Sequence, residues 1–386
     1  MRMVAKHPYI LIILLILFSA LLLPGCGTPW QVSVVTPDGS SLQVDAAVLR
    51  EFDDFAQLVE GRQAVPLERV LRAAGYTAVD TLSVTIEGTG APASFEWASV
   101  ADGAWWLDDG TLLIDGDRVH ASRVEVEPPP LVGDAQASIT DIAPTVATAL
   151  GLSVPSGATG RPLPVPAADR VVLFFLDGFG YVRYTEALSE GQIPNLAALG
   201  EPLVAVTTYP SITSVSTASL LTGATPDVHG VDQSGIRKTD TETLFDVASA
   251  AGLKVVAVEG ESLAFALRGA EFQLSADFDG NGSTDDNVLR NTVEVLRGGL
   301  PDILLVHFHG IDDAGHTYGP GSLEESVAVE EVDAAVGRII EMLPKGTLVV
   351  IFADHGMHKV QEEGHLGNHG HLLERDMFIP IFLVVK

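Results

Sequence analysis

An α/β fold, with a mostly parallel sheet sandwiched by helices and a small strand-rich domain ahead of it, is what three features of this sequence predict. From Val171 onward, unbroken apolar runs alternate with helical patterns, as in sheets covered on both faces. Three of these runs are followed at once by Asp or His, the placement expected of ligands collected at the carboxyl ends of strands. Before about Glu127, by contrast, short alternating segments are cut by Asp-Gly turns. With 386 residues, the chain is long enough for one large α/β domain and an accessory module.

Residues 1–26 read as a lipoprotein-type signal peptide. Basic Arg2 and Lys6 precede an apolar run from Tyr9 to Leu23, and Leu23-Pro24-Gly25-Cys26 resembles a bacterial lipoprotein cleavage site, with Pro24 where a small residue is usual. Cys26 is the only cysteine, so neither a disulfide framework nor a thiolate metal site is available. Its position points to lipidation, hence to an extracytoplasmic protein anchored to the cell membrane through Cys26; the alternative is an uncleaved anchor.

Residues 27–130 form the accessory domain and its linker. Asp-Gly turns stand at Asp38-Gly39, Asp109-Gly110 and Asp115-Gly116, one helical stretch spans Pro66 to Ala74, and Pro128-Pro129-Pro130 makes a stiff spacer. No catalytic cluster falls here. Residues 131–386 form the larger domain, with strands expected at Val171–Leu176, Lys254–Val258, Ile303–His307, Leu348–Ala353 and Phe378–Val385 and an amphipathic helix at Leu323–Leu343.

Lys and Arg number 22 against 51 Asp and Glu, a formal net charge of −29 that repels a phosphate backbone, so nucleic acid is excluded as a bulk partner. A small anionic substrate is not excluded, because divalent cations invert the potential inside one cleft. Candidate cation ligands fall in five segments. Asp177-Gly178 ends an apolar strand. Pro210-Ser211-Ile212-Thr213 opens a hydroxyl-rich stretch, which could be a capped helix start or could place a hydroxyl at a helix dipole suited to attack on phosphorus. Asp312 and His316 lie four residues apart, Asp354 and His355 are adjacent, and His369 and His371 follow in a Gly-rich loop. Each acid or imidazole alone could be structural. Together they would form a costly unpaired cluster unless cations occupied it.

In this order the five segments resemble the type I phosphodiesterase/nucleotide pyrophosphatase branch of the alkaline phosphatase superfamily, from about Val171 to the end. The resemblance implies an alkaline phosphatase-like catalytic domain with two divalent metal ions, zinc foremost. Asp177, Thr213, Asp354 and His355 would hold one ion, and Asp312, His316 and His369 the other. It makes Thr213 the nucleophile of a phosphothreonine pathway, prefers His369 to His371 because Gly370 follows it, and puts Ser216 where a phosphoryl-binding Asn is usual. The implied activity is phosphodiester or pyrophosphate hydrolysis of a small phosphorylated substrate. Phosphate monoester or phosphonate hydrolysis is the alternative, and an inactive envelope-binding lipoprotein a further one.

Two segments stand apart. Ser138 to Leu163, with Asp141-Ile142-Ala143-Pro144-Thr145, resembles a stretch that normally comes last in the superfamily, so a circularly permuted domain is expected, with this segment packed near Phe378–Val385. Asp277 to Asp285 alternates oxygen donors as a calcium loop does but lacks the closing Glu; a polar loop is the other reading. The oligomeric state is not encoded in any motif.

Overall fold

The computed structural model describes residues 30–35, 41–59, 61–74, 81–86, 92–96, 104–114, 116–127, 135–278, 280–362 and 365–386. The apolar run Tyr9–Leu23, Cys26, the Asp38-Gly39 turn, Asp115, the spacer Pro128–Pro130 and Asp279 lie outside the described residues. Among the described residues no helix is long and apolar enough to cross a membrane.

Two large sheets are present among the described residues. The first has nine strands between Val32 and Glu127, mostly antiparallel, with the long strand Asp117–Glu127 at its centre. Alternation sends Val32, Val34, Val65, Trp106, Leu112, Ile114 and Val124 into one core, closed by the short helix Leu67–Ala73. This core also takes in Tyr209, Leu372, Met377 and Phe378 from the larger domain.

The second sheet has eight strands, labelled here in chain order: β1 Ala137–Ser138, β2 Val171–Leu176, β3 Leu203–Val206, β4 Val255–Glu259, β5 Glu271–Leu274, β6 Ile303–Phe308, β7 Leu348–Phe352 and β8 Phe378–Val385. Their spatial order is β1-β3-β8-β7-β2-β6-β4-β5, and all pairs are parallel except those made by β8. Central β2 is buried at every position, because helices cover both faces and leave no alternating solvent side. Its neighbours are in register, Phe175 opposite both His307 and Phe352, which brings the ends of β2, β6 and β7 to one edge.

Four helices frame that edge: α1 Ile142–Ala149, α2 Thr213–Thr222, α3 Gly310–Tyr318 and α4 Leu323–Met342. The segment resembling a superfamily C-terminus supplies β1 and α1. Strand β1 pairs with β3, one strand removed from β8, and α1 packs on α2, while Thr159 and Gly160 donate to the Gly223 carbonyl at 2.7 and 2.9 Å.

Candidate active site

Strand ends deliver the acids. Asp177 follows β2 and Asp354 follows β7, and both are buried. Gly178 takes φ +72°, and a Cβ there would lie 2.9 Å from Asp312 Oδ1, so a side chain would intrude where the carboxylates converge. Asp354 Oδ1 accepts from Gly178 N at 3.2 Å and His355 N at 3.0 Å, which ties the two strand ends together. Asp312 and His316 lie one turn apart on α3, with His316 Nε2 3.3 Å from Asp312 Oδ2. His369 enters from the loop after the hairpin His358–Glu362/His365–Asn368, its Nε2 3.7 Å from Asp312 Oδ1.

Thr213 is the first residue of α2, and the N-cap is Ile212, which offers no side-chain cap. The hydroxyl-rich stretch is therefore not a side-chain-capped start. Thr213 Oγ1 lies 3.2 Å from His355 Nε2, at a helix end whose dipole favours a developing anion. Ser216 requires a correction. It is completely buried and its hydroxyl is shared with Thr207 at 3.0 Å, so it packs beneath the helix rather than being offered to a phosphoryl oxygen.

The structure thus brings Asp177, Thr213, Asp312, His316, Asp354, His355 and His369 into one cluster. His355 sits in the middle, within metal-sharing distance of Asp177 and Asp354 on one side and of Asp312 and His369 on the other. His371 turns elsewhere: its ring stacks on His358 at 4.6 Å, and His358 Nδ1 meets Asp376 at 2.9 Å.

Three observations test whether divalent cations suit this cluster. First, each histidine donates from Nδ1 to a backbone carbonyl: His355 to Gly356 at 3.1 Å, His316 to Gly367 at 2.9 Å and His369 to Ser211 at 2.8 Å. Rings fixed in this way turn Nε2 inward, as metal-bound imidazoles do. Second, His316 Nε2 and His369 Nε2 face one another at 3.1 Å, a contact that requires a proton or a cation between them. Third, among the described residues Asp177 Oδ1, Asp312 Oδ1 and Asp354 Oδ2 are buried without hydrogen-bond partners. Nitrogen and carboxylate donors with open inward lone pairs fit zinc-type ions.

The electrostatics agree. Burial, then the charges of Asp177 and Asp312, pushes the Asp354 carboxyl well above the usual carboxylate range. Burial opposes the charge on His316, but the bond to Asp312 outweighs it and raises the imidazole to about 9; burial and the neighbouring His355 press His369 down to about 4. A cluster with this crowding of carboxylates holds protons where cations would otherwise sit.

Sequence reasoning passed over a second layer. His307, on β6, and His309, just past it, both face Asp177, and Glu259 at the end of β4 faces both rings. The only sign in the sequence was a polar residue closing each of two otherwise apolar runs. In the Asp277–Asp285 loop, Asp277 accepts from the amides of Gly280, Asn281 and Gly282, and Asp285 turns inward to accept from His309 N and Gly310 N at 2.9 Å each. These two carboxylates staple the loop and the start of α3, as the polar-loop reading expects.

Comparison with known proteins gives a match to the family described as type I phosphodiesterase / nucleotide pyrophosphatase over residues 171–378. The catalytic subunit of human (Homo sapiens) GPI ethanolamine phosphate transferase 2 is 27% identical over 250 residues, 58% of this chain and 24% of that protein. The 2,3-bisphosphoglycerate-independent phosphoglycerate mutase 2 of Methanosarcina acetivorans is 42% identical over 84 residues, 21% of this chain and 15% of the mutase. This chain therefore spans about a quarter of the transferase and less of the mutase. Phosphonoacetate hydrolase from Sinorhizobium meliloti 1021, solved with phosphonoacetate, superimposes with a TM-score of 0.44 at 21% identity, covering 55% of this chain and 60% of that one.

Proposed function

The chain belongs to the type I phosphodiesterase / nucleotide pyrophosphatase family of the alkaline phosphatase superfamily, and from that premise we propose that it is a metal-dependent phosphoric ester hydrolase with Thr213 as its nucleophile. The observation that carries this reading is the set of three histidines fixed by carbonyls with Nε2 turned inward, around buried carboxylate oxygens that lack partners, beside a hydroxyl at an uncapped helix start. Asp177, Thr213, Asp354 and His355 would hold one ion and Asp312, His316 and His369 the other. Zinc ions so bound supply Lewis acidity that acidifies a ligated hydroxyl and offsets charge on phosphoryl oxygens.

The chain's own residues account for the rest. Thr213 Oγ1 attacks phosphorus in line, its proton is lost, and the P–O bond to the leaving alcohol breaks, giving phosphothreonine and the released alcohol. Water then attacks the same phosphorus from the opposite side. The bond to Thr213 Oγ1 breaks, Thr213 regains a proton and a phosphomonoester leaves. Thr213 Oγ1 lies 3.2 Å from His355 Nε2, close enough for both to share one ion, and the start of α2 directs its dipole toward the developing charge.

A small phosphodiester or pyrophosphate is the substrate class we favour, since the family match spans every site segment from Asp177 to His369. Similarity to an ethanolamine phosphate transferase supports a second reading, in which an alcohol replaces water as acceptor. Anchoring at Cys26 outside the cytoplasmic membrane, and permutation of residues 138–163 to the front of the domain, belong to the same proposal. The first is supported by the pattern of residues 1–26, the second by β1 and α1 packing beside β3 and α2. The test is turnover of a chromogenic phosphodiester, a monoester and a phosphonate by zinc-loaded protein, with and without an alcohol acceptor. The diester should turn over fastest, and a Thr213→Ala protein with wild-type turnover would overturn the nucleophile assignment.

A further inference from the structure

We propose that Glu259 and His307, with His309, form a positioning relay that holds Asp177 by one oxygen and leaves the other turned to the metal centre. The inference rests on the two-metal reading above. Asp177 Oδ2 meets His307 Nε2 at 3.2 Å and His309 Nδ1 at 3.4 Å. Asp177 Oδ1, by contrast, has no hydrogen-bond partner among the described residues and lies 3.5 Å from His355 Nε2, on the side of Thr213. An Asp carboxylate turns readily about its broad second torsion, and spending one oxygen on two imidazoles removes that freedom.

The relay is itself held from outside the site. Glu259 Oε2 bonds His307 Nδ1 at 2.8 Å and so fixes that ring at the end remote from Asp177; His309 Nε2 lies 3.5 Å from the same carboxylate, within ion-pair reach but without a hydrogen bond. The His307 ring is also clamped by its faces: Phe175 stacks at 3.6 Å and 11°, and His309 lies against it at 3.8 Å and 31°. Phe175 and His307 are register partners in the β2/β6 ladder, so backbone pairing sets the stack. Glu259 and His307 are almost wholly buried, where a carboxylate is costly unless its partners are well placed. Among the described residues no side-chain hydrogen bond or ion pair joins the three to Thr213, Asp312, His316 or His369, so they act through Asp177.

A purely structural network would change the melting temperature of the ion-free protein and leave ion affinity alone. The test is therefore chelator-competition titration with Zn²⁺, and the visible spectrum of Co²⁺-loaded protein, for wild type, Glu259→Gln and His307→Gln. Each variant should bind one of the two ions roughly 10–100-fold more weakly with a shifted Co²⁺ spectrum, while the other ion keeps its affinity. Glu259→Gln, which keeps the side-chain shape, decides the matter if His307→Gln does not fold. A folded Glu259→Gln with both affinities and the spectrum unchanged overturns the relay alone. Wild type that binds no zinc overturns the two-metal reading and the relay with it.

Discussion

The two sheets of this molecule dispose of charge in opposite ways. Among the described residues of the N-terminal sheet, Thr111 is the only buried polar side chain, and Arg62 meets Asp108 and Asp109 at the surface. The larger sheet buries Asp177, Glu259, His307, Asp354 and His355 at or just beyond its strand ends. Antiparallel strands with one wet face can point their charges outward. A parallel sheet covered on both faces has only its ends, and ionisable groups gathered there must compensate one another or bind an ion. Each region even holds a carboxyl at about 2. Burial would raise Glu259, but His307 and His309 outweigh it; partial burial would raise Asp109, but bonds from Thr111 and Arg62 outweigh it.

The contrast can be broken at its strongest point first. Thr213→Ala should lower turnover of a chromogenic diester by a factor on the order of 10³ or more, with both ions still bound through the remaining Asp and His ligands, because Thr213 Oγ1 is the hydroxyl that meets His355 Nε2 at the cluster. A variant within tenfold of wild type would remove the nucleophile from the larger sheet's account. Next, Trp106→Ala should cost about 3–5 kcal/mol in denaturant unfolding yet change kcat/KM by no more than about threefold, since Trp106 is fully buried in the N-terminal core, which supplies no site ligand. A catalytic loss of tenfold would show that the two regions are not separate in function. Ion removal by a chelator should cost about 4 kcal/mol if free zinc had stood at a thousand times its Kd, with amide exchange rising at residues 354–357 and 369–371 and staying constant at 105–124. Uniform acceleration in both regions would contradict a local metal site.

The smallest effect concerns acid. A carboxyl held below its ordinary value stabilises the fold fully above that ordinary value and loses the contribution as pH falls toward the folded one. For Glu259 the loss runs from about 4.5 down to about 2, and for Asp109 from about 3.8 down to about 2. Asp109 is half-exposed, so solvent screens its pair and its share is the lesser. Melting temperatures from pH 5 to pH 2 should therefore flatten more in Glu259→Gln than in Asp109→Asn; equal flattening would mean that burial does not amplify the Glu259 pair.

Much of this was legible because the larger domain advertises itself in one dimension. Val171–Leu176 and Phe378–Val385 are strands over the residues their apolar runs span, and the helix expected at Leu323–Leu343 ends one residue earlier, at Met342. The site segments were legible only as a set: each Asp or His alone could be structural, but three of each after separate strands would be a costly cluster without cations. What was hidden depended on sheet order. The strand expected to stop at Val258 continues through Glu259, whose carboxylate finds a buried partner in His307, 48 positions away along the chain. Short strands such as Leu203–Val206 and Glu271–Leu274 carry no clear period, and they exist because longer neighbours offer them ladder partners. Ser216 was misjudged because its partner, Thr207, comes from the other side of the Pro210 turn.

The N-terminal core borrows Tyr209, which precedes the turn bearing Ser211, and Leu372, which follows the loop bearing His369, together with Met377 and Phe378. An excised fragment beginning near residue 135 would uncover these side chains as one greasy scar at the foot of both loops. Self-association, visible by light scattering, should then appear before any change in the chemistry of the fragments that stay dissolved.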